Sequence, residues 1–212
     1  GDVMLMKSDG VVSAVYSGKS FPDDARDVIN YFTDENLTYI DNVVFASYSY
    51  HTMDFVGEIV SEIKVRKIML PQPSTEDEIA QAEGVSYLLS SFGTELEFYD
   101  LYEYIELGEY KYRLFEKVDY KYGEYPSNVY EVVFGDVKYT YLSVCKYEEL
   151  SASAKALLYN SENLIIGSIG NSKYYIFDMI LPDIKKIYYF DDGRLGSETV
   201  EYYEASGAEV SK

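Results

Sequence analysis

Asn42 to Gly57, NVVFASYSYHTMDFVG, is the stretch on which the reading of this chain turns. Val43 to Ala46 is an apolar run of strand length, and Ser47 to Thr52 is a polar turn. From Asp54 onward, Phe55, Val56, Ile59, Val60 and Ile63 keep the spacing of an amphipathic helix. A buried strand that breaks into a short turn and restarts as a helix is the frame in which hydrolytic dinuclear metal sites crowd their histidines. Here the turn holds Tyr50, Thr52 and Phe55 instead. The only histidine of the chain, His51, falls between the positions that would carry ligands.

Upstream, Met4 to Met6 and Val11 to Tyr16 read as two strands around the turn Ser8-Asp9-Gly10. A helix follows from Pro22, with Ala25, Val28, Ile29 and Phe32 on one face and Asp23 and Asp24 at its positive end. Downstream, Lys67 to Leu70 is a strand stopped by Pro71 and Pro73. Ser74 to Asp77 and Thr75 to Glu78 are alternative capping boxes for a helix whose apolar residues are Ile79, Leu88, Leu89 and Phe92. A β-rich middle comes next: Leu96 to Tyr99, Tyr104 to Leu107, Tyr110 to Val118, Val129 to Phe134 and Val137 to Val144, with a long loop over Asp119 to Asn128. The last third alternates again. Helices are expected near Ser151 to Leu158, Tyr174 to Leu181 and Ser197 to Ala205, and strands over Leu164 to Gly167, Lys186 to Phe190 and Ala208 to Val210.

The order is βαβα, a meander, then αβαβαβ. A sheet buries one face under helices and the other against a partner sheet. The pattern therefore predicts a mixed α/β chain folded as a four-layer αββα sandwich of two mixed sheets, one domain over residues 1–212. Its strand-like ends, Val3 to Met6 and Ala208 to Val210, suggest a domain excised from a longer protein.

The charge narrows the partners. Against 18 Lys and Arg stand 37 Asp and Glu, a net charge of -19, with no basic block. Phosphate backbones are held by clustered cations, so no nucleic acid is expected to bind this domain alone. Anionic lipid surfaces are disfavoured for the same reason. No apolar run approaches the ~18 residues of a membrane span. Cys145 is the single cysteine, so no intrachain disulfide forms, and no second histidine exists to activate it as a nucleophile. Ser168 lacks the G-x-S-x-G elbow. The 25 tyrosines lie largely in strand-like runs such as YKYRLF and YTYLSV, where an amphipathic ring suits a half-buried strand.

Several stretches together resemble the metallo-β-lactamase-like domain of the ComEC family of DNA-uptake (competence) proteins. GDVMLMKSDG is similar to the family opening. IDNVVFASYSYHTMDFVGEI with VRKIMLP is similar to its strand, ligand turn, helix and next strand. VVFGDVKYTYLSVCKYEELSASAKALL, NLIIGSIGNS and IKKIYYFDD match the later strands and turns, with Gly57, Gly167 and Gly170 as landmarks. The resemblance implies a site for two zinc or manganese ions, held by a H-x-H-x-D-H turn, a bridging Asp and a further His. Metals so held lower the pKa of a bound water and make it a nucleophile.

Carried onto this chain, that motif keeps only Asp54. Tyr50 and Thr52 replace the first two histidines and Phe55 the last. Lys146 stands in place of the bridging Asp, Ser168 and Ile169 in place of a histidine pair, and Tyr16 in place of an early Asp. A register shift that made His51 a ligand would cost the match at Asp54 and Gly57.

The expectation is a non-catalytic relative, without cofactor, in which Tyr16, Tyr50, His51, Thr52, Asp54, Phe55, Lys146 and Ser168 line a vestigial cleft. Lys146 is expected within about 6 Å of Asp54, the range over which opposite charges act on each other's ionisation. Two rivals stand beside it. One is a metal-dependent hydrolase or nuclease rebuilt from Asp54 and the acidic residues of the 119–128 loop. The other is a module that binds a small ligand or peptide in an aromatic pocket of Tyr16, Tyr48, Tyr50 and Phe55. The partner is an unidentified protein or small ligand. The source expected is bacterial, outside the cytoplasm and tethered to a membrane if the domain belongs to a competence-type protein.

Overall fold

Alternation along the strands sends successive residues into different apolar layers. Ala14 and Tyr16 face one way and Val15 the other; Val43 and Phe45 part in the same manner from Val44 and Ala46. The computed structural model describes residues 3–17, 24–49, 52–117, 128–142, 150–167, 184–189 and 197–211. In chain order these form β1 (Val3–Ser8), β2 (Val11–Tyr16), α1 (Asp24–Asp34), β3 (Tyr39–Phe45), α2 (Thr52–Glu62), β4 (Lys64–Pro71), α3 (Glu76–Leu89) and β5 (Glu95–Tyr99). The second half continues with β6 (Ile105–Leu107), β7 (Tyr110–Lys117), β8 (Asn128–Phe134), β9 (Val137–Leu142), α4 (Ala152–Tyr159), β10 (Asn163–Ile166), β11 (Lys186–Tyr189), α5 (Ser197–Ala205) and β12 (Glu209–Ser211).

Two sheets result, one ordered β1-β2-β3-β4-β5 and the other β12-β11-β10-β9-β8-β7-β6. Both are mixed. In the first, β1 runs antiparallel to β2 and the remaining pairs are parallel. In the second, β6 to β9 pair antiparallel, and β9 to β12 are parallel. Three apolar clusters separate four layers. One packs α1, α2 and α3 on the first sheet through Phe32, Phe55, Ile59, Val85 and Leu89. One packs α4 and α5 on the second sheet through Ala154, Leu158 and Tyr203. The third fills the space between the sheets, where Met6, Val44 and Met69 meet Tyr112, Tyr130 and Tyr141. This is the αββα sandwich that the sequence pattern predicts.

Two details differ from the sequence reading. The strand around Leu96 to Tyr99 does not belong to the meander; β5 lies parallel to β4 at the edge of the first sheet, from Lys67 opposite Glu95 to Pro71 opposite Tyr99. A strand that follows a crossover helix comes back beside its predecessor in parallel, and α3 is such a crossover. Helix α3 also buries a different face. Its inward stripe is Glu78, Ala82, Val85 and Leu89, while Ile79 and Phe92 are 45% and 46% exposed. Of the two capping boxes, Thr75 is the one that caps: its hydroxyl accepts from the Glu78 amide. The Glu78 carboxylate reaches back one residue further, to the amide and hydroxyl of Ser74.

Candidate functional site

The turn between β3 and α2 is closed by its own hydroxyls. Thr52 opens the helix with its amide on the Ser49 carbonyl at 3.1 Å, and its Oγ1 accepts the Ser49 amide at 2.7 Å. The Ser49 hydroxyl is a further 3.3 Å contact, and both side chains are buried. Because α2 begins at Thr52, two residues before Asp54, its inward stripe is Thr52, Phe55, Val56, Ile59 and Val60. Phe55 lies face to face with Tyr16 at 4.0 Å between ring centroids, and Phe45 closes the cluster edge-on to both. Asp54 falls off that stripe. It is exposed and borders a furrow on the outer side of α2, with Met53, Gly57, Glu58, Leu88 and Phe92.

The structure thus brings Tyr16, Thr52 and Phe55 together in the buried layer and sets Asp54 on the outside of the helical layer. Tyr48, assigned to the same aromatic pocket by sequence, is buried as well, its hydroxyl donating to the Pro71 carbonyl at 2.8 Å. Burial pushes the Tyr48 phenol well above its ordinary range, and the Glu78 carboxylate adds to the shift. Tyr50, His51, Lys146 and Ser168 lie outside the described residues, as do the expected Lys146–Asp54 pairing, Cys145 and the helix near Tyr174 to Leu181.

Beside Tyr48 sits a charged pair that sequence reasoning missed. The Lys117 ammonium, at the end of β7, contacts Glu78 Oε2 at 2.7 Å, Ser74 Oγ at 3.0 Å and the Gln72 carbonyl at 3.2 Å. It also lies 5.5 Å above the Tyr48 ring. The side chains of Lys117 and Glu78 are 3% and 0% exposed, so this ion pair is wholly interior and joins one sheet to the helical layer of the other. Nearby, Asn128 of β8 donates to the Ser17 carbonyl at 2.6 Å, a second polar bond between the two halves. A capping pattern with Glu78 signals the helix start, yet nothing in the sequence couples Glu78 to a lysine 39 residues away.

A separate hollow of about 370 Å³ opens where β1 meets the second sheet, lined by Val3, Met4, Tyr130, Tyr139, Tyr141 and Tyr188 among others. The matching sequence signal was the tyrosine-rich strand run, read there as fold.

Three solved structures set this geometry in context. Zn(2+)-bound PqqB from Methylobacterium extorquens superposes with a TM-score of 0.59 at 14% identity, over 99% of this chain and 83% of that one. The E377D mutant of the β-hydroxylase CmlA gives 0.58 at 12%, over 97% of this chain and 49% of that one. CmlA itself, a diiron β-hydroxylase from Streptomyces venezuelae, gives 0.53 at 13%, over 97% and 50%. The fold is metallo-β-lactamase-like. The chain spans about half the length of CmlA. No protein family and no curated protein matches it by sequence.

A metal centre of this fold needs imidazoles and carboxylates that converge on one point. Among the described residues no group of three or more His, Cys, Asp or Glu side chains does so. At the described turn positions the Thr52 oxygen is taken by Ser49, Phe55 has no lone pair, and Asp54 is on the outer face. These residues do not fit a dinuclear metal centre.

Proposed function

We propose that this chain is a non-catalytic metallo-β-lactamase-like domain, a relative of the ComEC competence proteins, that serves as a structural or interaction module. The observation that carries this reading is the Tyr16–Phe55 stack. Phe55, at a position where the resemblance implies a ligand histidine, and Tyr16, in place of an early Asp, instead hold aromatic rings packed face to face in the core. The charge of -19 supports a partner other than nucleic acid. The rival reading, a metal-dependent hydrolase with a rebuilt site, requires ligands from outside this buried layer.

The test is elemental analysis of protein purified without chelator, together with turnover of a phosphodiester such as bis(p-nitrophenyl) phosphate. The expected result is well under one zinc, manganese or iron per chain after dialysis, and no hydrolysis above buffer. One or two ions per chain with turnover would sink the reading.

A second reading is favoured by the tyrosine-lined hollow, whose size and aromatic walls are those of a small-molecule site. Screening aromatic fragments by NMR, with Tyr139→Ala as the control, separates it from the first. Hits that vanish in the variant support a ligand site, and hits that persist remove it.

A further inference from the structure

We infer that the furrow along the outer face of α2, against the C-terminal end of α3, docks a basic amphipathic helix of about three turns. This deepens the interaction role proposed above and is independent of whether the domain has lost catalysis. The furrow is a hollow of about 530 Å³ with Met53, Leu88 and Phe92 as its apolar contacts and Gly57 at its floor. Past Ser61 and Phe92 lies a second hollow of about 520 Å³, which reaches Lys64 and Arg66 and is not part of the docking site. Along α2 the furrow runs from Met53 to Ser61, roughly 14 Å at 1.5 Å per residue, between two and three helical turns.

Large apolar side chains stand open along it: Met53 is 40% exposed and Phe92 46%. Apolar surface of this kind rimmed by charge marks a contact site. Methionine is the side chain that adapts most readily to a partner.

Charge settles the partner. Among the described residues, the charged side chains that line the first hollow are Asp54 and Glu58, and no Lys or Arg lines it. A groove with an apolar floor and a one-sign rim selects a helix with Leu-type residues at i, i+3 or i+4, and i+7, flanked by Lys or Arg. An acidic partner would meet like charge along the α2 wall.

The probe is a fluorescein-labelled peptide of about 14 residues, three to four helical turns, with leucines at that spacing and lysines on its flanks. A scrambled isomer is the control, and binding is read by anisotropy at low and physiological salt. We expect micromolar binding of the ordered peptide and at least tenfold weaker binding of the isomer. Glu58→Lys and Phe92→Ser should each weaken the ordered peptide at least tenfold, whereas Glu106→Lys, the same charge change on β6, should cost less than twofold. All these side chains are exposed, and unchanged thermal melts verify folding.

Equal loss in Glu106→Lys, or equal binding of the scrambled isomer, would reduce the effect to general attraction by an acidic surface and overturn the proposal. A dimer in sedimentation that Phe92→Ser dissociates would also overturn it, by showing that a second copy fills the furrow. Hydrolytic turnover would refute the non-catalytic reading and leave the furrow standing; failed peptide binding would do the reverse.

Discussion

Removing the Lys117 ammonium is the sharpest perturbation this structure offers. In Lys117→Met the Glu78 carboxylate stays at 0% exposure, with the amide and hydroxyl of Ser74 as its remaining donors. Loss of one partner from a wholly buried pair costs about 3–5 kcal/mol, because the surviving charge is desolvated without compensation. The methionine side chain would still fill the space beside Tyr48, so little of the loss is packing. For a domain of this size each kcal/mol moves Tm by about 2–4 °C, so the melt should fall by roughly 10 °C. Glu78→Gln is milder, about 2–4 kcal/mol, because the ammonium keeps Gln72 and Ser74 as acceptors. The double variant Glu78→Gln/Lys117→Met removes both charges of the pair and should recover much of the loss, leaving a coupling of at least about 2 kcal/mol. Urea unfolding followed by near-UV circular dichroism measures all four proteins. Salt to about 1 M should leave the coupling intact, since interior pairs are poorly screened. A Lys117→Met loss under about 1 kcal/mol, or purely additive single variants, would refute the reasoning.

Three other outcomes are expected. Burial holds Tyr99 and Tyr112 neutral well above their ordinary value of 10.0, and unfolding releases both. Their contribution is therefore complete below about pH 10 and is lost as pH rises above it, by about 1.4 kcal/mol per unit per tyrosine. Urea midpoints between about pH 8 and 11 should fall, and fall less steeply in Tyr112→Phe; parallel slopes would contradict this. Gly108, in the β6–β7 turn, has φ +71, and a Cβ there would lie 2.6 Å from Ser8 Oγ and 3.2 Å from Val11 Cβ. Gly108→Ala should cost about 1–3 kcal/mol by thermal melt. With -19 net charge, fluorescence anisotropy should detect no binding of single- or double-stranded DNA at physiological salt. Micromolar affinity that collapses with salt would expose a basic face hidden by composition.

The layers were legible because burial alternates in strands and recurs every three or four residues in helices. α5 falls on Ser197–Ala205 as expected, and β2 on Val11–Tyr16. What escaped is long-range. Glu78 reads only as a capping-box residue until Lys117 arrives from another sheet, and Ile79 and Phe92 read as apolar helix positions until Val85 and Leu89 claim the inward stripe. Asp54 falls where the motif that the sequence resembles has its aspartate, but a helix that starts at Thr52 turns Phe55 inward and Asp54 out. The aromatic cluster was recognisable as residues; that Tyr16 and Phe55 stack on one another instead of lining a space is set by packing that no local pattern encodes.

Each sheet is also a contiguous piece of chain. Residues 3–99 supply one and residues 105–211 the other, joined by a short connection over residues 100–104. Synthesis from the N-terminus can therefore finish all the strand pairing of the first sheet while its partner is still being translated. Until then Met6, Val15, Val44 and Met69, one whole face of that sheet, have nothing to rest on. That apolar face stays open to solvent until β7 and β8 cover it, which makes the nascent half prone to aggregation over that interval.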